Sequence, residues 1–141
     1  MTGLSICIPV YNFNCIALIH SLLSQIKKVD IQAEIIVIDD ASSLDLNALS
    51  ELKHNIYYYK KLSENIGRAK IRNLLAKQAK YSHILFLDCD SEIKEEFLDC
   101  YLESLKKYTS KVIYGGTIDK KENSLKHKLR SSYGNTYEYL N

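Results

Sequence analysis

A chain of 141 residues, 46% hydrophobic and 26% charged with a formal net charge of +2, suits one globular domain with a real core. That charge is too mild to argue for nucleic acid, and the apolar runs fall well short of the ~20 residues of a membrane-spanning helix. The opening MTGLSICIPVYN lacks the basic start and apolar stretch of a secretion signal, and the four cysteines (7, 15, 89 and 100) follow no metal or disulfide spacing, so free thiols in a reducing cytoplasm are expected.

Along the chain, strand and helix patterns alternate. Residues 4–10 are branched and uncharged, which predicts a buried strand. Ile16, Ile19, Leu22, Leu23 and Ile26 then recur at helical spacing, with Asn12 or Asn14 as the cap. Residues 34–39, EIIVID, form a continuous apolar run of the kind found in parallel sheets. A short helix within 44–53 and a strand over 56–60 follow. Residues 67–80 present Ile71, Leu74, Leu75 and Ala79 on one helical face, and residues 83–87 predict another strand. Phe97, Leu98, Tyr101, Leu102, Leu105 and Tyr108 make a further helical stripe, and residues 111–114 a last strand before Gly115 and Gly116. Such alternation implies right-handed crossovers and a three-layer α/β/α sandwich around a mostly parallel sheet.

Ligands of such sheets sit beyond the carboxyl ends of the strands. Those ends read Pro9-Val10-Tyr11-Asn12, Asp39-Asp40-Ala41-Ser42, Asn65-Ile66-Gly67 opening the helix of Arg72-Asn73, and Asp88-Cys89-Asp90. Taken singly, the first is explained by a turn with Tyr11 packed and Asn12 capping. The third is a helix start with an exposed arginine, and Asp39-Asp40 divides evenly between an Asx turn and a ligand site. Asp88-Cys89-Asp90 resists a structural explanation. Residues two apart on an extended segment point the same way, and two carboxylates held together repel unless a cation lies between them. A hard divalent cation, Mn²⁺ or Mg²⁺, completing its shell with water and diphosphate oxygens meets that demand.

In this order and spacing, SICIPVYN, EIIVIDDAS, ENIGRAKIRN and ILFLDCDS, with VIYGGT after them, resemble the nucleotide-binding half of family 2 glycosyltransferases of the GT-A fold. The resemblance covers essentially the whole chain. It implies a Rossmann-like half-fold, a nucleotide-sugar donor that is most often UDP-linked, a divalent cation, and inverting transfer. By position it implies that Pro9 and Tyr11 line the base pocket and that Asp40 accepts from the base ring, with Asp39 supporting that loop or the ribose side. Gly67 and Arg72 would lie beside the nucleotide, Asp88 would reach the ribose or the metal shell, and Asp90 would ligate the metal.

A base for the acceptor is not found. After Gly116 the acids are Asp119, Glu122 and Glu138, none paired at a helix start. The expected organisation is therefore a donor-binding domain over residues 1–118 and a helical linker over 119–141. That linker would lead to an acceptor part for a sugar or lipid-linked substrate, with the base past Asn141. Such a chain would bind donor without transferring sugar. The basic tail (Lys120, Lys121, Lys126, Lys128 and Arg130) reads first as a solvated face. Peripheral contact with the inner face of the membrane is the secondary expectation.

Two other classes compete. A haloacid dehalogenase-like phosphatase shares the apolar strand and Asp-x-Asp, but Glu92 stands where that motif has Thr or Val. A receiver-type phospho-acceptor domain shares the acidic pair, but here a whole β-α unit precedes Asp39-Asp40, and Gly115-Gly116 replaces its lysine.

Overall fold

The computed structural model describes residues 3–107 together with Val112, Ile113 and Gly115. The chain divides into two compact units, residues 1–100 and 101–141, and the first holds all the strands described below. In order the elements are β1 (Leu4–Val10), α1 (Ile16–Ile26), β2 (Ala33–Asp39), α2 (Asn47–Ser50), β3 (Tyr57–Lys61), α3 (Arg68–Gln78), β4 (His83–Phe86) and α4 (Phe97–Lys107). The strands form a parallel four-stranded sheet in the order β3-β2-β1-β4, flanked by helices. The α/β class, the parallel sheet and the alternation are as the sequence predicts. Val112 and Ile113, expected in a fifth strand, carry no regular structure; Lys111, Tyr114 and the 119–141 linker lie outside the described residues.

Handedness fixes which helix lies where. From β1 to β2 to β3 the chain steps in one direction, so right-handed crossovers put α1 and α2 on one face. From β3 to β4 it runs back across β2 and β1, which puts α3 on the other. In-register parallel pairing sets Cys7 beside Ile36 and Pro9 beside Ile38, so these residues share a face. Ile71 and Leu75 of α3 close over Cys7, Ile36 and Ile38, with Leu62, Ile66, Leu74 and Ala79 around them. Leu75 is fully buried there, and trimming it to alanine would cost about 2–5 kcal/mol.

The opposite face carries Ile6, Ile8, Ile35 and Val37, all fully buried. Tyr57 of β3 lies on that side too, and its hydroxyl donates to the Leu49 carbonyl of α2 at 2.9 Å. In the last turn of α1, the buried Gln25 accepts from the Leu98 N–H at 3.0 Å and donates to the Lys94 carbonyl at 2.7 Å. One side chain thereby satisfies a first-turn N–H of α4, a group with no partner inside its own helix. At the start of α1 the cap position is Cys15, not the Asn12 or Asn14 expected from the sequence; Asn14, one residue earlier, accepts from the Ile16 N–H at 3.1 Å.

The order β3-β2-β1-β4 reverses direction between β1 and β4. In open α/β sheets the crevice outside the carboxyl ends at such a reversal is where ligands bind. Tyr11 follows one of these strands and Asp88 the other.

Candidate donor-binding site

The loops after β1 and β2 are bound to each other. Asn12 sits at φ 51°, a left-handed conformation that asparagine tolerates. From there its Oδ1 accepts from the N–H groups of Ser43 (2.8 Å) and Leu44 (3.1 Å), while its own N–H donates to Ser42 Oγ at 2.7 Å. Ala41, also left-handed at φ 61°, has no such tolerance and costs about 1–2 kcal/mol. Asp39 holds that turn from inside: fully buried, it accepts from the Ser42 N–H at 2.8 Å and the Tyr59 hydroxyl at 3.0 Å. Burial, reinforced by this bond to the Asp39 carboxylate, raises the Tyr59 hydroxyl well above its usual range, so it stays a donor. Lys61 Nζ donates to the Ser42 carbonyl at 2.7 Å and closes the cluster.

Asp40, the next residue, faces a different partner. Its Oδ1 accepts from the Ile66 N–H at 2.7 Å and its Oδ2 from the Gly67 N–H at 3.0 Å, while its carbonyl takes the Asn65 amide at 3.1 Å. The carboxylate thus reaches across from β2 to hold the amino end of α3, where N–H groups lack helical partners and the helix dipole favours negative charge. Gly67 makes this approach possible. Its φ of 83° and ψ of 163° lie in a region that essentially only glycine occupies.

Helix α3, held in that position, presents Arg68 and Arg72, four residues apart and so neighbours on one helical face. Arg72 forms an ion pair and hydrogen bond with Asp88 Oδ1. The Arg68 guanidinium lies 3.9 Å from Asp88 Oδ2. Asp88 does not lie on an extended strand: β4 ends at Phe86, and the Ser91 N–H donates to the Asp88 carbonyl at 3.1 Å, closing a turn. The alternation expected to aim Asp88 and Asp90 alike therefore does not operate, because the chain is already turning. Asp90 is exposed, and among the described residues it has no hydrogen-bond or ion-pair partner. Cys89 between them is half-buried, and burial raises its thiol.

Four of the acids and cations foreseen at the strand ends thus have distinct surroundings. Asp39 braces one loop, Asp40 holds another, Asp88 is taken by arginine, and Asp90 is free. Pro9 lies within β1 beside Ile38, and the Tyr11 side chain is 55% exposed, open to a ligand. Sequence reading missed Arg68 and the loop-bridging part of Asn12. The i, i+4 spacing of the arginines was visible, whereas their shared carboxylate, sixteen residues or more away, was not.

Among the described residues no group of three or more His, Cys, Asp and Glu side chains gathers as a metal site. The donor set nevertheless suits a hard cation that takes one or two carboxylates and fills its shell with water and phosphate oxygens. Asp90 offers an uncommitted carboxylate, and Asp88 a second one on the same turn. A separate cavity of about 300 Å³, lined by Glu34, Ile36, Tyr58 and Gln78, is shallow and distant from these charged strand ends. No helix among the described residues is long and apolar enough to cross a membrane.

A family model described as Glycosyl transferase family 2 matches residues 5–141. The chain is 32% identical over 106 residues to the chondroitin synthase of Escherichia coli, covering 73% of this chain and 16% of that protein. Over 116 residues it is 30% identical to the chondroitin synthase of Pasteurella multocida (strain Pm70), covering 80% of this chain and 12% of that one. The chain therefore spans only a small part of the length of these curated relatives. Its fold is similar to that of TarS 1-349 from S. aureus, with a TM-score of 0.59 and 23% identity over 84% of this chain and 40% of that one. TarS 1-349 has also been solved in complex with UDP and with UDP-GlcNAc. These matches favour neither the phosphatase nor the receiver alternative.

Proposed function

The chain belongs to glycosyl transferase family 2, and from that premise we propose that it forms the donor-binding part of an enzyme that transfers a sugar from a UDP-linked donor. The acceptor is a hydroxyl of a growing polysaccharide or glycoconjugate, and transfer proceeds with inversion. The observation that carries this reading is the convergence at the β1/β4 reversal of an exposed aromatic, two arginines on one helix face and an uncommitted carboxylate. The UDP assignment draws on the UDP and UDP-GlcNAc complexes of TarS 1-349, and the polysaccharide on the chondroitin synthases.

In this reading Tyr11 and Pro9 form the wall against which the base packs. Asp39 and Asp40 act through the backbone: one sets the loop after β2, the other sets the start of α3, and neither need move when donor binds. Preorganisation of this kind leaves less ordering to be done on binding. Arg72 would face the diphosphate, where a fixed guanidinium stabilises charge that grows on the leaving group as the anomeric bond breaks. Asp90, with Asp88, would hold Mn²⁺ or Mg²⁺, which when bound supplies Lewis-acid stabilisation of the same leaving diphosphate. Inversion needs no covalent nucleophile on the chain, only deprotonation of the acceptor hydroxyl. We place the work in the cytoplasm, at the inner face of the membrane where lipid-linked or growing acceptors are met.

Calorimetric titration with UDP, GDP, CDP and ADP, each with and without Mn²⁺, tests the reading. UDP should bind most tightly, and Mn²⁺ should strengthen it. Equal binding of all four, or none, would overturn the assignment.

A further inference from the structure

Asp88 is one carboxylate set between two guanidiniums. Arg72 is paired with one oxygen, and Arg68, with its side chain 84% exposed, stands 3.9 Å from the other. Both cations come from the same face of α3. The Arg72 guanidinium also donates to the Arg68 carbonyl at 3.4 Å, so the two are joined through backbone as well as through their common partner. Arg72 holds one oxygen of Asp88, so a cation bound through the other, Oδ2, competes there with the longer and more exposed contact, which is that of Arg68. A released arginine beside a bound cation is well placed for an anion, since a guanidinium matches the oxygens of a phosphate.

We propose that Arg68 is an exchanging residue. In the ligand-free protein it neutralises Asp88, and in the donor complex it leaves Asp88 to the cation and binds the diphosphate of the donor. This rests on the donor site proposed above and adds to it a residue with two alternative partners. It also makes cation and nucleotide binding cooperative, because each frees a charge that the other requires, and such coupling is reciprocal.

Loss of Arg68 should move cation and nucleotide binding in opposite directions. Arg68 competes with the cation for Asp88, so Arg68→Ala should bind Mn²⁺ alone about two- to threefold more tightly, the range of an exposed ion pair. The same variant should bind UDP in the presence of Mn²⁺ about tenfold more weakly, the loss of one charge-assisted contact. Uridine, which has no phosphate, should bind both proteins equally. The measurement is Mn²⁺ binding by electron paramagnetic resonance and UDP and uridine binding by calorimetry, on the 141-residue chain and on Arg68→Ala. Unchanged UDP affinity in the variant would overturn the inference while leaving the donor site standing. Parallel weakening of Mn²⁺, UDP and uridine would overturn it as well, since a purely structural arginine would behave that way. If the unsubstituted chain bound no UDP at all, the donor-site reading would fall and this inference with it.

Discussion

Replacing Asp40 by asparagine separates an acid used by the fold from an acid offered to a ligand. Both Asp40 oxygens accept backbone N–H groups, at 2.7 and 3.0 Å, in a site where the residue is only 4% exposed. An asparagine of the same shape has one acceptor oxygen, so either the Ile66 or the Gly67 N–H would face an amide NH₂ instead. The charge that complements the amino end of α3 also disappears. A hydrogen bond to a charged group contributes about 1.5–3 kcal/mol, so Asp40→Asn should cost about 2–3 kcal/mol once the lost dipole interaction is included. With urea m-values of about 1–3 kcal/mol/M, the unfolding midpoint should fall by roughly 0.7–3 M at unchanged slope. Asp90→Asn, at an exposed site without a partner, should stay within about 0.5 kcal/mol of the parent. Equal midpoints for the two variants would refute the division of labour between these aspartates.

Gly67→Ala should be destabilised by about 1–3 kcal/mol through backbone strain alone, because nothing lies within 4 Å of the added methyl; thermal unfolding that shows no loss of stability would refute this. Alkaline pH should destabilise the fold. Burial pushes the Cys7 and Cys15 thiols from 9.0 up to about 12, with Glu34 adding to the effect at Cys7 and Cys89 at Cys15. The folded state therefore keeps protons that the unfolded chain releases above pH 9.0. The associated stability is intact below that pH and is lost as pH climbs toward 12, at about 1.4 kcal/mol per pH unit for each thiol. Urea midpoints at pH 8 and pH 10.5 would show the fall, and Cys7→Ala should flatten it. Burial raises Tyr57 and Tyr59 in the same direction, so their loss follows at higher pH. Asp90→Ala should abolish the Mn²⁺-dependent gain in UDP affinity while leaving metal-free binding unchanged; loss of both in calorimetry would count against a metal-holding part for Asp90.

The fold was legible because its two central strands, β1 and β2, are buried on both faces. LSICIPV and AEIIVID have no polar alternation to confuse them, and Gly67 marks the start of α3 as the sequence suggested. The second helix is a single turn, Asn47–Ser50, since only Leu49 within it is buried and nothing else along it rewards continuation. Within the site, which residues gather at the strand ends could be read from order alone. What each one does could not. Asp39 and Asp40 are adjacent and chemically identical, and their separate tasks depend on Ser42, Tyr59, Ile66 and Gly67 arriving from other parts of the chain. The strand geometry from which a shared orientation of Asp88 and Asp90 was inferred does not reach them, because β4 stops two residues before Asp88, at Phe86. Arg68 escaped notice because a charge on a helix surface has no meaning until its partner is known.

The central claim is that the donor diphosphate binds at the β1/β4 reversal. Backbone amide chemical shifts on titration with UDP, followed by broadening on addition of Mn²⁺, test it most directly. Shifts should concentrate at Tyr11 and Asn12, Asp40 to Ser42, Asn65 to Arg72 and Asp88 to Asp90, with broadening strongest around Asp90. Shifts confined to the cavity of Glu34, Ile36, Tyr58 and Gln78, with the strand ends silent, would contradict it.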